Sequence, residues 1–156
     1  MTPSRLQHRP LPIAASVGYE IHEFLAWEAL LLDHHRYEEW TGLLTTDLVY
    51  LSPGKKWNHE VLVSAARQAT REHASLASHT RRLVSNVIIS PADCSREFTV
   101  NSYVLLMGAR PNENETKWAT VERCDRLRRT AHAFQISRRE IHFAQSAAEP
   151  RLPDIL

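Results

Sequence analysis

The chain has 156 residues, enough for one compact domain with a hydrophobic core of its own. It carries 19 Lys and Arg against 18 Asp and Glu, and this near-neutral balance lacks the basic excess of a dedicated nucleic-acid binder. The two cysteines, Cys94 and Cys124, form no C-x-x-C pair, which excludes a zinc ribbon or thioredoxin-type motif and leaves two reduced thiols as the plain reading.

The first segment, MTPSRLQHRPLPIAASVG, has no apolar signal core, and no stretch nears the roughly 18 apolar residues of a membrane span. A cytoplasmic protein is expected. Residues 1–17, with Pro3, Pro10 and Pro12, read as a polar arm. From Tyr19 to about Leu32, Ile21, Phe24, Leu25, Leu31 and Leu32 recur at helical spacing. Glu20, Glu23 and Glu28 read as the opposite, polar face. The helix pauses at Asp33-His34-His35, and a short second helix is expected from Tyr37 to Leu44. "DLVYLSP" (47–53) reads as a strand stopped by Pro53 and Gly54, and 59–77 as a third helix rich in Ala, Glu, Arg and Leu.

Beyond Ser78 the composition turns β-branched and aromatic. Strands are expected over 80–90, 97–108, 117–129 and 132–145, separated by turn signals at 91–93, 108–114 and 130–131. Short connections imply an antiparallel meander. In the last strand Phe134 and Ile136 share one parity and Ile141 and Phe143 the other, so a β-bulge is expected between Ser137 and Glu140. Helices followed by a bent antiparallel sheet give an α+β cone over 18–146, with a tail at 147–156.

Nine histidines invite a metal site, but no H-x-x-x-H, H-E-x-x-H or C-x-H motif occurs. His34 and His35 read as solvent-facing groups at a helix end. There is no G-x-S-x-G elbow and no phosphate loop. Cys124, set among arginines, reads as a packed sheet cysteine. Tyr50, Tyr103, Glu122, Asp125 and His142 lie on expected strands, where one parity could line a pocket and move protons. Pairing of the acids with neighbouring arginines is the simpler role.

"ERCDRLRR" (122–129) places Glu122, Cys124, Arg126 and Arg128 on one face and Arg123, Asp125, Leu127 and Arg129 on the other. With charge on both faces, the strand is expected to run past the core toward solvent or another subunit. Arg81, Arg82, Arg123, Arg126, Arg128 and Arg129 are the candidate interface, with Arg138 and Arg139 adjoining.

Several of these stretches share a pattern. "LLDHHRYEEWTGLLTTDLVYLSP" (31–53) resembles the small beta subunits of aromatic-ring-hydroxylating dioxygenases, through Leu32, Asp33, Arg36, Tyr37, Glu39, Trp40, Leu43, Leu44, Asp47 and Tyr50. "SHTRRLVSNVII" (78–89), "ERCDRLRR" and "FQISRREIHFAQ" (134–145) resemble three later blocks of that family, in order and spacing. Departures fall at His79, Arg82 and Ala144, where the family usually has Arg, His and Asp.

The resemblance implies a cone like nuclear transport factor 2, built of helices wrapped by a strongly bent antiparallel sheet. It also implies a non-catalytic beta subunit. A partner alpha subunit would hold the Rieske iron–sulfur (2Fe-2S) cluster and a mononuclear non-haem iron, in an assembly of three alpha and three beta chains. No cofactor is expected in this chain, and neither nucleic acid nor membrane among its partners. A stand-alone dehydratase or isomerase, or a ligand-binding protein of the same fold, is the alternative, and it would need an open pocket.

Overall fold

The computed structural model describes residues 12–73, 79–93, 96–109, 114 and 116–143. Helix α1 spans Ala15–Asp33, α2 Tyr37–Thr41 and α3 His59–His73. The strands are β1 (Leu44–Ser52), β2 (Lys55–Asn58), β3 (His79–Pro91), β4 (Glu97–Ala109), β5 (Lys117–Arg129) and β6 (Phe134–Phe143). Most of the expected arm, and the whole tail at 147–156, lie outside the described residues; α1 begins inside the stretch expected to be arm.

Local chemistry explains the boundaries. Helix α1 ends where His35 takes a left-handed φ of 57°. There the Arg36 N–H donates to the Leu31 carbonyl at 2.8 Å and the His35 N–H to the Leu32 carbonyl at 3.1 Å. This is the Schellman arrangement, which satisfies carbonyls that a helix end otherwise orphans. The pause at Asp33-His34-His35 is therefore a built stop. Helix α3 starts where the Asn58 side chain accepts from the Val61 N–H at 3.0 Å.

The six strands form one sheet in the order β2-β1-β6-β5-β4-β3. The antiparallel meander β3-β4-β5-β6 follows the expectation. Two features correct it. Strand β1 lies parallel to β6, so the sheet is mixed rather than wholly antiparallel. Pro53 and Gly54 do stop β1, which ends at Ser52 as expected, but the turn they make pairs Ser52 with Lys55 and leads into the unexpected short strand β2. Gly54 supplies the φ of 72° that such a turn needs.

The expected bulge falls at Ser137. Leu127 pairs with Ile136 and Arg126 with Arg138, which leaves Ser137 as the extra residue. Its hydroxyl donates to the Arg126 carbonyl at 3.2 Å. The shift lets Phe134 and Ile136 share the inner face with Arg139 and Ile141, and all four are buried.

Helix α1 packs against β3, and α3 against β1 and β2. Between helices and sheet lies one core, with Ile21, Leu25, Trp40, Leu62, Val100, Leu127 and Ile136 at its centre. Phe134 meets Phe24 and Phe98 edge-on, with ring centroids 6.2 and 5.9 Å apart. No helix among the described residues is long and apolar enough to cross a membrane.

Candidate functional site: a buried ion network inside the cone

The core of the cone holds charge. Arg123 and Asp125 are two apart on β5, so both point inward. Arg139 lies directly opposite Asp125 on β6. Glu28 reaches them from α1. The sequence reading placed Glu28 on the polar face of its helix, and the structure overturns that: Glu28 is 1% exposed. The signal was legible, since Ile21, Phe24, Leu25, Glu28, Leu31 and Leu32 make one stripe at helical spacing.

The contacts are short and bidentate. Arg139 donates to both oxygens of Glu28, at 2.5 and 3.0 Å, and to both oxygens of Asp125, at 2.7 and 2.8 Å. Arg123 Nη1 reaches Glu28 Oε2 at 3.2 Å, and Trp40 Nε1 donates to Glu28 Oε1 at 3.1 Å. Two carboxylates thus face two guanidiniums, and the cluster is neutral as a whole. Burial alone would push the Glu28 carboxyl up, but Arg139, Arg123 and the bond from Trp40 together hold it down at about 2. Burial pushes the neighbouring Tyr50 hydroxyl up to about 12. Neither group is poised to exchange protons near neutral pH.

A second buried ion pair joins Asp33 to Arg82. Asp33 accepts from Arg82 twice, from the backbone N–H at 3.0 Å and from Nη1 at 2.7 Å. It ties the end of α1 to β3, while the neighbouring His34 is exposed. Beside these groups lies a cavity of about 30 Å³, lined by Leu32, Tyr50, Arg82, Arg123, Arg139 and Phe143 among others. That is room for a water or two, against the roughly 300–1,000 Å³ of an ordinary small-molecule site. Ser102 stands opposite Arg123 across β4 and β5. Among the described residues, its Oγ and the Nε and Nη2 of Arg123 are buried without a hydrogen bond. The Nε lies 3.2 Å from Asp125 Oδ2, an ion-pair distance, but is not aligned for a hydrogen bond.

The five candidate acid–base residues divide. Tyr50 and Asp125 point inward and are buried, whereas Tyr103, Glu122 and His142 line up across β4, β5 and β6 on the outer face. The six candidate interface arginines divide as well. Arg82 and Arg123 are buried in ion pairs within the chain, so strand β5 does not run past the core as expected. Arg128 is held by Asp47 at 3.1 Å and Glu97 at 2.9 Å. Arg129 pairs with Glu20 at 2.8 Å and stacks on Phe134. Arg126 is more loosely held, 3.7 Å from Glu97, and among the described residues Arg81 bonds only to the carbonyl of Thr80.

No group of three or more His, Cys, Asp or Glu side chains among the described residues could hold a metal ion. Cys124 is half-buried on β5, and Cys94 lies outside the described residues.

Residues 63–149 match the family model described as ring hydroxylating beta subunit. The chlorobenzene dioxygenase subunit beta of a Cupriavidus species is 31% identical, over 88% of this chain and 87% of its own. The biphenyl 2,3-dioxygenase subunit beta of Rhodococcus jostii is 29% identical over the same shares. Among solved structures, one assigned as the beta subunit of an aromatic-ring-hydroxylating dioxygenase from Novosphingobium aromaticivorans superposes with a TM-score of 0.71, at 16% identity, over 88% of this chain and 96% of that one. One assigned as a scytalone dehydratase from the same organism gives 0.72, at 17% identity, over 87% and 90%. The two share this fold equally well, so the fold alone does not choose between subunit and dehydratase.

Proposed function

The chain belongs to the ring hydroxylating beta subunit family, and from that premise we propose that it is the non-catalytic beta subunit of an aromatic-ring-hydroxylating dioxygenase. Its task is to hold and order an alpha subunit that carries the Rieske cluster, the mononuclear iron and the aromatic substrate. Three alpha and three beta chains, assembled in the cytoplasm, form the complete oxygenase.

The observation that carries the reading beyond family membership is the filled cone. A dehydratase or isomerase of this fold needs room for its substrate and a group able to exchange protons. Here that space holds Glu28, Arg123, Asp125 and Arg139, locked to one another, and a cavity of about 30 Å³. A network of this kind ties α1, β5 and β6 together and suits a rigid support.

Among the six candidate arginines, Arg126 and Arg128 sit on the outer face of β5, away from the core. We assign that end of the sheet to the alpha subunit, because exposed guanidiniums make bidentate pairs with a partner's carboxylates. The reading is tested by producing the alpha chain with and without this chain. Ring oxygenation, fed by a reductase and NAD(P)H, is expected only when both are present. An alpha chain that assembles and turns over alone contradicts it, as does dehydratase or isomerase turnover by this chain alone.

A further inference from the structure

Among the described residues, every charged side chain on the wall of the small cavity is a guanidinium. Arg82, Arg123 and Arg139 line it together with Tyr50, and the other described side chains there, Leu32, Val104, Leu106, Val121, Ile141 and Phe143, are apolar. A guanidinium has N–H donors and no acceptor. Burial pushes the Tyr50 hydroxyl up to about 12, so it stays protonated at neutral pH and can donate as well. Tyr50 is 3% exposed, and its hydroxyl has no hydrogen-bond partner among the described residues. A buried tyrosine hydroxyl usually has one.

The charges here balance in number but not in position. Glu28, Asp125 and Asp33 neutralise the three arginines through the buried ion pairs, yet none of these carboxylates lines the cavity. The charges nearest its interior are therefore positive, and nearness decides the sign of the local field. Hydrogen bonding points the same way. A water brings two donors to a wall whose described side chains offer one acceptor, the tyrosine oxygen, whereas an anion brings acceptors alone. Volume then sets the size. About 30 Å³ is the space of a water or two, enough for a monatomic anion and too little for a carboxylic acid or a phosphate. Arg82, one of the chain's departures from the family pattern, supplies a guanidinium to this wall where histidine is usual.

We propose that the cavity is a halide site that takes one chloride ion, held by the Tyr50 hydroxyl and the guanidiniums of Arg82, Arg123 and Arg139. The unfolded chain has no such site, so the ion stabilises the fold by mass action. The proposal does not depend on the alpha subunit.

Thermal melts of the full chain, with chloride replacing gluconate at constant ionic strength, test it; gluconate is too large for the cavity. The melting temperature is expected to rise with the logarithm of chloride concentration once that exceeds the dissociation constant. Tyr50→Phe and Arg82→His should each move the onset of the rise to roughly tenfold higher chloride. Wild-type crystals grown in bromide should show an anomalous peak among Tyr50, Arg82, Arg123 and Arg139, a readout that stands even where a variant fails to fold. A melting temperature that does not rise with chloride overturns the proposal. So do folded variants that both respond like the wild type, or a cavity that holds only water in bromide.

Discussion

Arg139 on β6 clamps Glu28 on α1 through Nη1 and Nη2 of its guanidinium, at 2.5 and 3.0 Å, across 111 residues of chain. The pair is almost fully buried, with side chains 4% and 1% exposed. One contact thereby fixes the first helix to the last strand and centres the network that fills the cone.

Breaking that clamp from one side should be costly. Glu28→Ala leaves Arg139 and Arg123 sharing a single carboxylate, and a loss of about 3–5 kcal/mol is expected. Glu28→Leu combined with Arg139→Met keeps the remaining Arg123–Asp125 pair balanced. It should therefore cost less than the sum of the two single changes, by roughly 1–3 kcal/mol. Urea denaturation of the two single variants and the double variant checks this.

The same carboxylate sets a response to acid. In the folded chain the Glu28 carboxyl is held down at about 2 by Arg139 and Arg123, below the 4.5 of an ordinary glutamate. Its folded value is depressed, so its contribution is fully present above the unfolded value and is lost as pH falls through the folded one. Stability should fall between about pH 4.5 and pH 2, with a loss on the order of 3 kcal/mol from this group. In Glu28→Gln the drop across that window should shrink. Melting temperatures at stepped pH for both proteins provide the measurement.

Ser102→Ala should be neutral or stabilising, by up to about 1 kcal/mol. Its hydroxyl is buried without a hydrogen bond, so removing it removes an unmet desolvation cost. A loss above roughly 2 kcal/mol in chemical denaturation would instead show that the hydroxyl is bonded in solution.

Deleting Ser137 should abolish folding, whereas Ser137→Ala should cost only about 1 kcal/mol for one lost hydrogen bond. Without the extra residue, either Phe134 and Ile136 or Arg139 and Ile141 must face outward. Soluble yield and circular dichroism separate the two variants.

Much of this architecture was written in short-range patterns. The strands past Ser78 announced themselves by composition and turns, and the parity change from Ile136 to Ile141 disclosed the bulge. The parallel pairing of β1 with β6 did not, because no local signal records which distant strand a chain segment will join. The charged strand shows the limit most clearly. Its alternation was read correctly, and so was the pairing of Asp125 with neighbouring arginines, but the charged part of the strand was expected to meet solvent or another subunit, because a buried strand face is normally apolar. That rule fails where acids and bases arrive in equal number and neutralise each other, and the acid that completes the balance, Glu28, comes from a helix almost a hundred residues upstream.

At the alpha-subunit contact, Arg126 is the cleaner of the two outer arginines to probe. Arg128→Glu would meet Asp47 and Glu97 within its own chain, so part of any effect would be local. Arg126→Glu should weaken association with the alpha subunit roughly tenfold or more while leaving the melting temperature nearly unchanged. Affinity capture and a thermal melt on the same sample check both halves.

The central claim is most directly tested by capturing the tagged chain from its native host and measuring the mass, iron and acid-labile sulfide of what elutes with it. A larger chain in equal molar amount, carrying iron and sulfide, is the predicted result. A chain that elutes without a larger partner and without iron would contradict the beta-subunit account.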